Sequence, residues 1–235
     1  MSALNFLIDD FKGWKPFDYT WLTLACAAIV GITLMMGGST ISIISALANV
    51  VCVILVAQGK LSNYIWGTVG VVTYACLAYT WGYYGETVLN AAYYLPMQFI
   101  GFYFWYKNSG DVDATESQSV IVTSLSKVQK LIGVLSVPVL IALTSYVLYL
   151  VGGKLVVLDA TTTILSIVAM VLMAARMKEQ WILWIVVDVI SIYMWLQSFM
   201  LGNPDGIATL LMWIVFLLNA LYGAWKWFKP ALHEA

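Results

Sequence analysis

A single aspartate lies deep in a long apolar segment near the end of the chain. Asp188 shares one helix face with Trp181, Trp184 and Trp195, because these residues are spaced by three, four or seven positions. A carboxylate is costly in hydrocarbon, so this face is expected to contact protein, water or a bound molecule. The carboxylate can accept hydrogen bonds from hydroxyls or neutralise a cation, and the indoles attract a planar aromatic ring. The structural alternative is that Asp188 only fixes helix packing.

A second polar stripe lies in an apolar segment of the first half. Asn90, Tyr94 and Gln98 recur at steps of four residues, and Gly101 and Trp105 continue the same helix face. A carboxamide can pair head to head with a primary amide, donor to acceptor. This stripe therefore predicts recognition of a polar ligand that carries such a group.

The deepest polar and aromatic residues of the apolar segments form the candidate binding site. They are Trp66, Asn90, Tyr93, Tyr94, Gln98, Trp181, Trp184, Asp188, Asn219 and Tyr222. For aromatic residues close to a segment end, such as Trp181, an interfacial aromatic belt is the competing interpretation. No Lys or Arg lies at mid-membrane depth, so a phosphate would have no counter-charge there. The interior suits an uncharged or cationic polar aromatic molecule.

The composition is that of a membrane protein without metal or cofactor chemistry. Of 235 residues, 62% are hydrophobic and 10% are charged, with a mean hydropathy of +0.89, whereas soluble proteins average about 25% charged residues. Eleven basic and twelve acidic residues nearly cancel, which excludes nucleic acid as a partner. Three cysteines without a ligand spacing and one histidine in the tail supply no metal site and no catalytic imidazole. We therefore expect no cofactor and no enzyme activity.

Eight apolar runs are long enough to cross a lipid bilayer, which takes roughly 20 residues of α-helix. They cover residues 20–37, 40–57, 61–82, 88–106, 131–151, 154–174, 180–201 and 206–228. Because the turn at 37–39 is very tight, a broken helix and seven spans are the alternative. Residues 1–19 predict an amphipathic segment in the membrane interface, with a surface helix or a disordered tail as alternatives. The polar residues 107–130 predict a cytoplasmic linker, and 229–235 a C-terminal tail.

Basic residues predict the orientation of these spans, because Lys and Arg remain on the cytoplasmic side during insertion. With eight spans and an inside N-terminus, every Lys and Arg except Lys154 falls on that side. The sequence therefore predicts a multi-pass membrane protein with both termini in the cytoplasm.

The second half of the chain weakly repeats the first. A shift of 118 residues places Trp66 on Trp184, and a shift of 121 places Gln98 on Asn219. Duplicated halves are common among transporters, whose sites lie near the midplane at the interface of the repeats. The repeat therefore predicts a central path between two related helix bundles.

The predicted fold is an all-α integral membrane protein of about eight transmembrane helices. Two parallel three-helix bundles cover 40–106 and 154–228, and the helix at 131–151 is the linker helix that joins them. The helix at 20–37 is an extra N-terminal helix. The composition break at 107–130 divides the chain into these two halves.

At the candidate site residues the sequence resembles the PnuC family of bacterial nicotinamide riboside transporters. The resemblance covers about residues 46–227 and rests on Asn90-x-x-Tyr93-x-x-x-x-Gln98-x-x-Gly101-x-x-x-Trp105, on Trp181-x-x-Trp184-x-x-x-Asp188 and on Asn219. It implies a three-plus-one-plus-three arrangement similar to the SWEET sugar transporters, preceded by one helix, in the bacterial inner membrane. It also implies facilitated diffusion of nicotinamide riboside, with a cytoplasmic nicotinamide riboside kinase as the functional partner that traps the product as its phosphate.

The resemblance supports membership of the site, and the chemistry divides it among the parts of the substrate. Gln98 and Asn219 are assigned to the amide, Trp66 and Trp184 to the ring, and Asn90, Tyr93 and Asp188 to the ribose. Riboflavin or thiamin as substrate, and proton-coupled transport, are the alternatives. The oligomeric state is open between a monomer and a homo-oligomer.

Three other classes fit the sequence less well. A retinal protein needs a mid-span lysine for its Schiff base, and every lysine here lies in a loop, at a span end or in a tail. A membrane enzyme needs clustered acid, base or metal-ligating groups, and Asp188 alone does not provide them. An ion channel needs a charged ring or a carbonyl filter, and the paired glycines 37–38 and 152–153 are typical of turns.

Overall fold

The computed structural model describes Phe11, Trp14 and residues 16–57, 60–108, 124–174 and 177–228. Most of the predicted interfacial segment, most of the predicted linker and the predicted C-terminal tail lie outside the described residues. The described ranges include every candidate site residue.

The described residues form α-helices and one π-helix without a β-strand, so the predicted all-α class is confirmed. The helices are α1 (Pro16–Met35), α2 (Thr40–Ala57), α3 (Asn63–Trp81), α4 (Tyr84–Val88), the π-helix (Leu89–Tyr94), α5 (Leu95–Asn108), α6 (Lys127–Leu150), α7 (Val156–Ala174), α8 (Gln180–Met200) and α9 (Gly206–Phe228). The predicted run 88–106 corresponds to the consecutive segments α4, π-helix and α5.

The helix α6 begins at Lys127, four residues before the predicted run. A capping box explains the early start: Gln129 N–H donates to Ser126 Oγ at 3.2 Å, and Ser126 N–H donates to Gln129 Oε1 at 2.8 Å. These bonds satisfy backbone donors that the first turn of a helix leaves without partners. Polar residues that hydropathy assigns to the linker are thus part of the helix.

Four of the described helices are long and apolar enough to cross a membrane. They are Lys127–Leu150, Val156–Met173, Gln180–Met200 and Gly206–Trp225. Two shorter apolar stretches, Tyr19–Met35 and Thr40–Leu55, lie in α1 and α2. By length and composition alone, the second half of the molecule therefore has the clearer membrane character.

Six segments form a closed ring of contacts. The helix α2 packs on α3, α3 on the segment α4–π–α5, α4 on α7, α7 on α8, α8 on α9, and α9 returns to α2. The helices α3 and α8 therefore lie opposite each other across the ring. Outside it, α1 contacts α2 and α9, while α6 contacts α7 and α4. Only Leu148 of α6 is buried, so this helix presents most of its surface outward.

The two halves share the backbone pattern that leads into their middle helices. Before α3, Asn63 N–H donates to the carbonyl of Lys60 at 3.2 Å, and before α8, Gln180 N–H donates to that of Met177 at 3.2 Å. By this pattern Asn63 corresponds to Gln180, which is an offset one residue smaller than the predicted shift of 118. Asn63 and Gln180 are thus equivalent carboxamides, and both are buried.

Candidate functional site

The ring encloses a cavity of about 80 Å³, called here the central cavity. Residues from five of the six ring segments line it: Asn49, Val71, Tyr74, Glu86, Leu89, Asn90, Tyr94, Ser166, Met212, Trp213 and Phe216. Amide, hydroxyl and carboxylate groups therefore converge with aromatic rings at one place between the two halves. Such a mixture of apolar walls and a few polar groups is typical of small-molecule sites.

One end of the ring, which carries the turns 36–39, 82–83, 151–155 and 201–205, is called the short-loop end. Toward this end the central cavity is closed by aromatic residues. Trp195 Nε1–H donates to Tyr74 Oη at 2.9 Å, which joins α8 to α3 across the ring. Tyr83 Oη donates to the carbonyl of Met194 at 2.7 Å, and its ring contacts Trp195 edge-on at 5.4 Å. Burial raises the pKa of Tyr83 to about 12, so its hydroxyl keeps its proton at neutral pH.

A buried carboxylate of α7 holds the start of α4. The two oxygens of Asp159 accept the backbone N–H groups of Gly85 and Glu86, each at 2.8 Å. The first N–H groups of a helix have no partner within it, and a negative charge there is favourable. Asp159 therefore fixes α4 against the second half of the molecule.

Glu86 points into the central cavity and is only 3% exposed. Its Oε1 has no hydrogen-bond partner. Glu86 and Asp159 are acids that the sequence analysis did not select, and both are buried. Both lie close to span ends in the sequence, where a solvated position is the usual interpretation. One signal was available: Glu86 precedes Asn90 by four residues and so extends the predicted stripe.

The π-helix divides that stripe into two parts. The backbone N–H of Leu95 donates to the carbonyl of Asn90, five residues earlier, as in a π-turn. The extra residue rotates the following helix by about 100° relative to a continuous α-helix. Asn90 and Tyr94 consequently line the central cavity, whereas Gln98 does not.

Gln98 lies instead in a groove of about 380 Å³ between α3 and α5. Its side chain packs directly against Gly67, and Gly101 packs against the ring of Tyr64. The other residues of this groove, such as Val69 and Phe99, are largely apolar and exposed. The structure thus places Gln98 in a separate groove from Asn90 and Tyr94, and its contact with the amide stays a prediction.

Asp188 is 3% exposed and belongs to the buried face of α8, together with Ser191 and Trp195. Trp184 is half-buried and packs against the hydrophobic core. Tyr93 is half-buried, with its ring 5.5 Å from that of Tyr94. None of these three predicted residues lines the central cavity.

Two further predicted tryptophans lie near the opposite end of the ring, called the linker end, which carries residues 60–62, 124–126 and 177–179. The Nε1 groups of Trp66 and Trp181 are buried without a hydrogen-bond partner. The ring of Trp181 packs against Gly223. Both indoles are therefore donors that a bound molecule or a rearranged side chain can satisfy.

The structure exposes the two predicted residues of α9. Tyr222 is 61% exposed, and Asn219 is also exposed. Asn219 follows Met212 by seven residues and Ala208 by eleven, so all three share one helix face. Met212 and Ala208 are buried. This face of α9 therefore loses its packing partners toward the linker end.

The interior of the described structure contains acids without basic partners. No described Lys or Arg forms an ion pair with Glu86, Asp159 or Asp188, and no described group of three residues could hold a metal ion. An ion pair at the linker end joins Lys130 Nζ to Glu179 Oε1 at 3.1 Å. The electrostatic potential of the central cavity therefore disfavours a phosphate and favours a cation.

A family model described as nicotinamide mononucleotide transporter matches residues 39–229. The chain belongs to this family. A nicotinamide riboside transporter PnuC of Neisseria mucosa is 34% identical over 219 residues, which cover 93% of this chain and 83% of that protein. A transporter of the same name from Haemophilus influenzae is 35% identical over 218 residues, or 93% of this chain and 92% of that protein.

The three-dimensional comparison agrees with these relatives. The crystal structure of the vitamin B3 transporter PnuC matches with a TM-score of 0.76 and 33% identity, covering 97% of each chain. The predicted resemblance to PnuC is confirmed. Together with its apolar helices, the family membership makes this chain a multi-pass membrane transporter.

Proposed function

We propose that this protein carries nicotinamide riboside across the bacterial inner membrane by facilitated diffusion. The family description names the mononucleotide, whereas the similar proteins named above are riboside transporters. The observation that favours the riboside is the acidic interior: Glu86 and Asp188 are buried without a basic partner among the described residues. A phosphate would be repelled there, since desolvated like charges interact strongly.

The proposed binding site is the central cavity together with its immediate surroundings. Asn90 and Tyr94 line the cavity, and Asp188 is buried on α8. Their amide, hydroxyl and carboxylate groups can bond to ribose hydroxyls, and Trp184 supplies an aromatic face nearby. The other predicted site residues remain candidates for contacting the substrate before or after it occupies the central cavity. They are Trp66, Tyr93, Gln98, Trp181, Asn219 and Tyr222.

The proposed path runs between the two halves, which alternate between openings to either side. The short-loop end is closed by the Tyr74–Trp195 bond, whereas α9 exposes Asn219 toward the linker end. Because Lys60, Lys130 and Lys178 lie at the linker end, we place that end in the cytoplasm. The described conformation is then closed to the outside, and both termini are cytoplasmic.

The proposed topology has eight spans. The helices α2, α3 and α4–π–α5 form one bundle, α7, α8 and α9 form the other, α6 reverses the direction between them, and α1 is the additional helix. Two parallel bundles around a path suit transport by rocking of one half against the other. A cytoplasmic kinase would trap the riboside by phosphorylation and so maintain an inward gradient.

Uptake into proteoliposomes tests the proposal. Labelled nicotinamide riboside should equilibrate between the two sides without an ion gradient, and unlabelled riboside should compete with it. Nicotinamide mononucleotide, riboflavin and thiamin should not compete at the same concentration. Accumulation above equilibrium that depends on a proton gradient would contradict facilitated diffusion, and equal competition by the mononucleotide would contradict exclusion of the phosphate.

A further inference from the structure

The backbone of Glu86 is held in a fixed position by its neighbours. Its backbone N–H donates to Asp159 Oδ1 at 2.8 Å, and its carbonyl accepts Asn90 Nδ2–H at 2.9 Å. The backbone of Glu86 is therefore attached both to α7 and to the π-helix. Its side chain is buried, lines the central cavity and leaves Oε1 without a partner.

Aromatic rings surround this carboxylate on the cavity wall. Tyr74, Tyr94, Trp213 and Phe216 line the same cavity as Glu86, and the rings of Tyr74 and Trp213 meet edge-on at 6.1 Å. Tyr74 accepts the indole N–H of Trp195, so its own hydroxyl proton remains available to a neighbour. Aromatic faces combined with a desolvated carboxylate form a site for an organic cation.

The charge of Glu86 has no cationic partner among the described residues. The oxygens of the adjacent Asp159 are both occupied by backbone N–H groups, and no described Lys or Arg pairs with either acid. A buried carboxylate without a counter-charge costs free energy, which a bound cation recovers. Nicotinamide riboside carries a permanent positive charge on its pyridinium ring, whereas its reduced form is a neutral dihydropyridine of nearly the same shape.

We propose that Glu86 is the counter-ion of the pyridinium ring and selects the oxidised, cationic riboside over the reduced, neutral one. This inference rests on the proposed function, because it assigns a specificity residue within the same site. Asp188 has a different role in this scheme. It bonds to the ribose, which the oxidised and reduced forms share.

The experiment compares binding of the oxidised and the reduced riboside by calorimetry on purified protein in detergent. The wild type should prefer the oxidised form. Glu86→Gln keeps the size and one acceptor oxygen of the side chain and removes its charge, so it should weaken binding of the oxidised form at least tenfold and leave the reduced form within twofold. Binding of the reduced form also demonstrates that the variant is folded.

Two further variants sharpen the comparison. Asp188→Asn should weaken both ligands by a similar factor, since the ribose does not change. Glu179→Gln makes the same substitution at the linker end and should leave both affinities unchanged. As an independent test, Glu86→Asp keeps the negative charge and should still prefer the oxidised form, by a smaller factor than the wild type does.

The outcomes separate the two proposals. If Glu86→Gln weakens both forms equally, or neither, Glu86 is not the counter-ion and the inference is overturned. If the wild type binds neither form of the riboside, the proposed function itself fails. If Asp188→Asn removes the preference and Glu86→Gln does not, the counter-ion is Asp188.

Discussion

The two ends of the helix ring are held by different kinds of interaction. At the short-loop end, buried hydrogen bonds join Tyr74 to Trp195 and Asp159 to the start of α4. At the linker end, the ion pair between Lys130 and Glu179 has a half-exposed lysine. Buried hydrogen bonds are worth more than exposed ion pairs, because water competes with the latter. We therefore expect most of the energy that holds this conformation to lie at the short-loop end.

The largest expected effect is the loss of the Asp159 carboxylate. Asp159→Ala leaves the buried N–H groups of Gly85 and Glu86 without an acceptor and should destabilise the protein by about 3 kcal/mol. Thermal unfolding in detergent measures this change. Asp159→Asn keeps one acceptor oxygen and should lose less. Equal melting temperatures for the wild type and the alanine variant would show that this contact contributes little.

The second-largest expected effect is on the contact that closes the short-loop end. Trp195→Phe removes the indole donor and leaves the buried hydroxyl of Tyr74 without that partner, at a cost of about 1–3 kcal/mol. The conformation that is open at the short-loop end should gain population. A cysteine placed at Val71 in a cysteine-free background should then react at least fivefold faster with an impermeant thiol reagent added from that side. An unchanged rate would mean that other contacts keep the end closed.

A substitution of Gly67 in α3 tests whether Gln98 contacts the substrate. A Cβ at Gly67 would clash with the Gln98 side chain, so Gly67→Ala should cost about 1–2 kcal/mol. Gly133→Ala in α6 meets open space and should be neutral or slightly stabilising. If Gln98 only packs against α3, the affinity of Gly67→Ala for the riboside should be unchanged. A tenfold loss would place Gln98 in contact with substrate.

The smallest effect concerns the linker end. Burial raises the pKa of Glu179, but bonds from its own backbone N–H, from Leu125 N–H and from Lys130 lower it overall. The carboxylate therefore contributes stability above its unfolded pKa of about 4.3, and this contribution is lost as pH falls through the lower folded pKa. Glu179→Gln should cost at most about 1 kcal/mol at pH 7. The difference in melting temperature should disappear near pH 3, and a difference that persists there would exclude a charge effect.

Much of the fold follows from the sequence because hydrophobic periodicity and turn residues act locally. The bounds of α2 and α9 match the predicted runs, and those of α8 differ by one residue. The start of α6 differs from its predicted run because a capping box, rather than hydropathy, determines it. Local patterns thus locate the helices, while side-chain caps adjust where they begin.

The candidate site was less predictable, because it depends on contacts between distant segments. The stripe on α8 is preserved, and Asp188 and Trp195 of this face are both buried. The stripe from Asn90 to Gln98 is divided, since a π-turn leaves no clear sign in the residue types. Glu86 was missed because burial near a span end depends on α7, which supplies Asp159 from the other half of the chain.

The π-helix also marks a difference between the two halves. The last helix of the second half, α9, is an uninterrupted α-helix, whereas the π-turn adds one residue to a helical turn of the first half. Such an insertion needs a single extra codon and sacrifices little backbone bonding, yet it turns every later side chain of that segment toward another wall. One residue is therefore enough to separate Gln98 from the cavity wall that Asn90 and Tyr94 form.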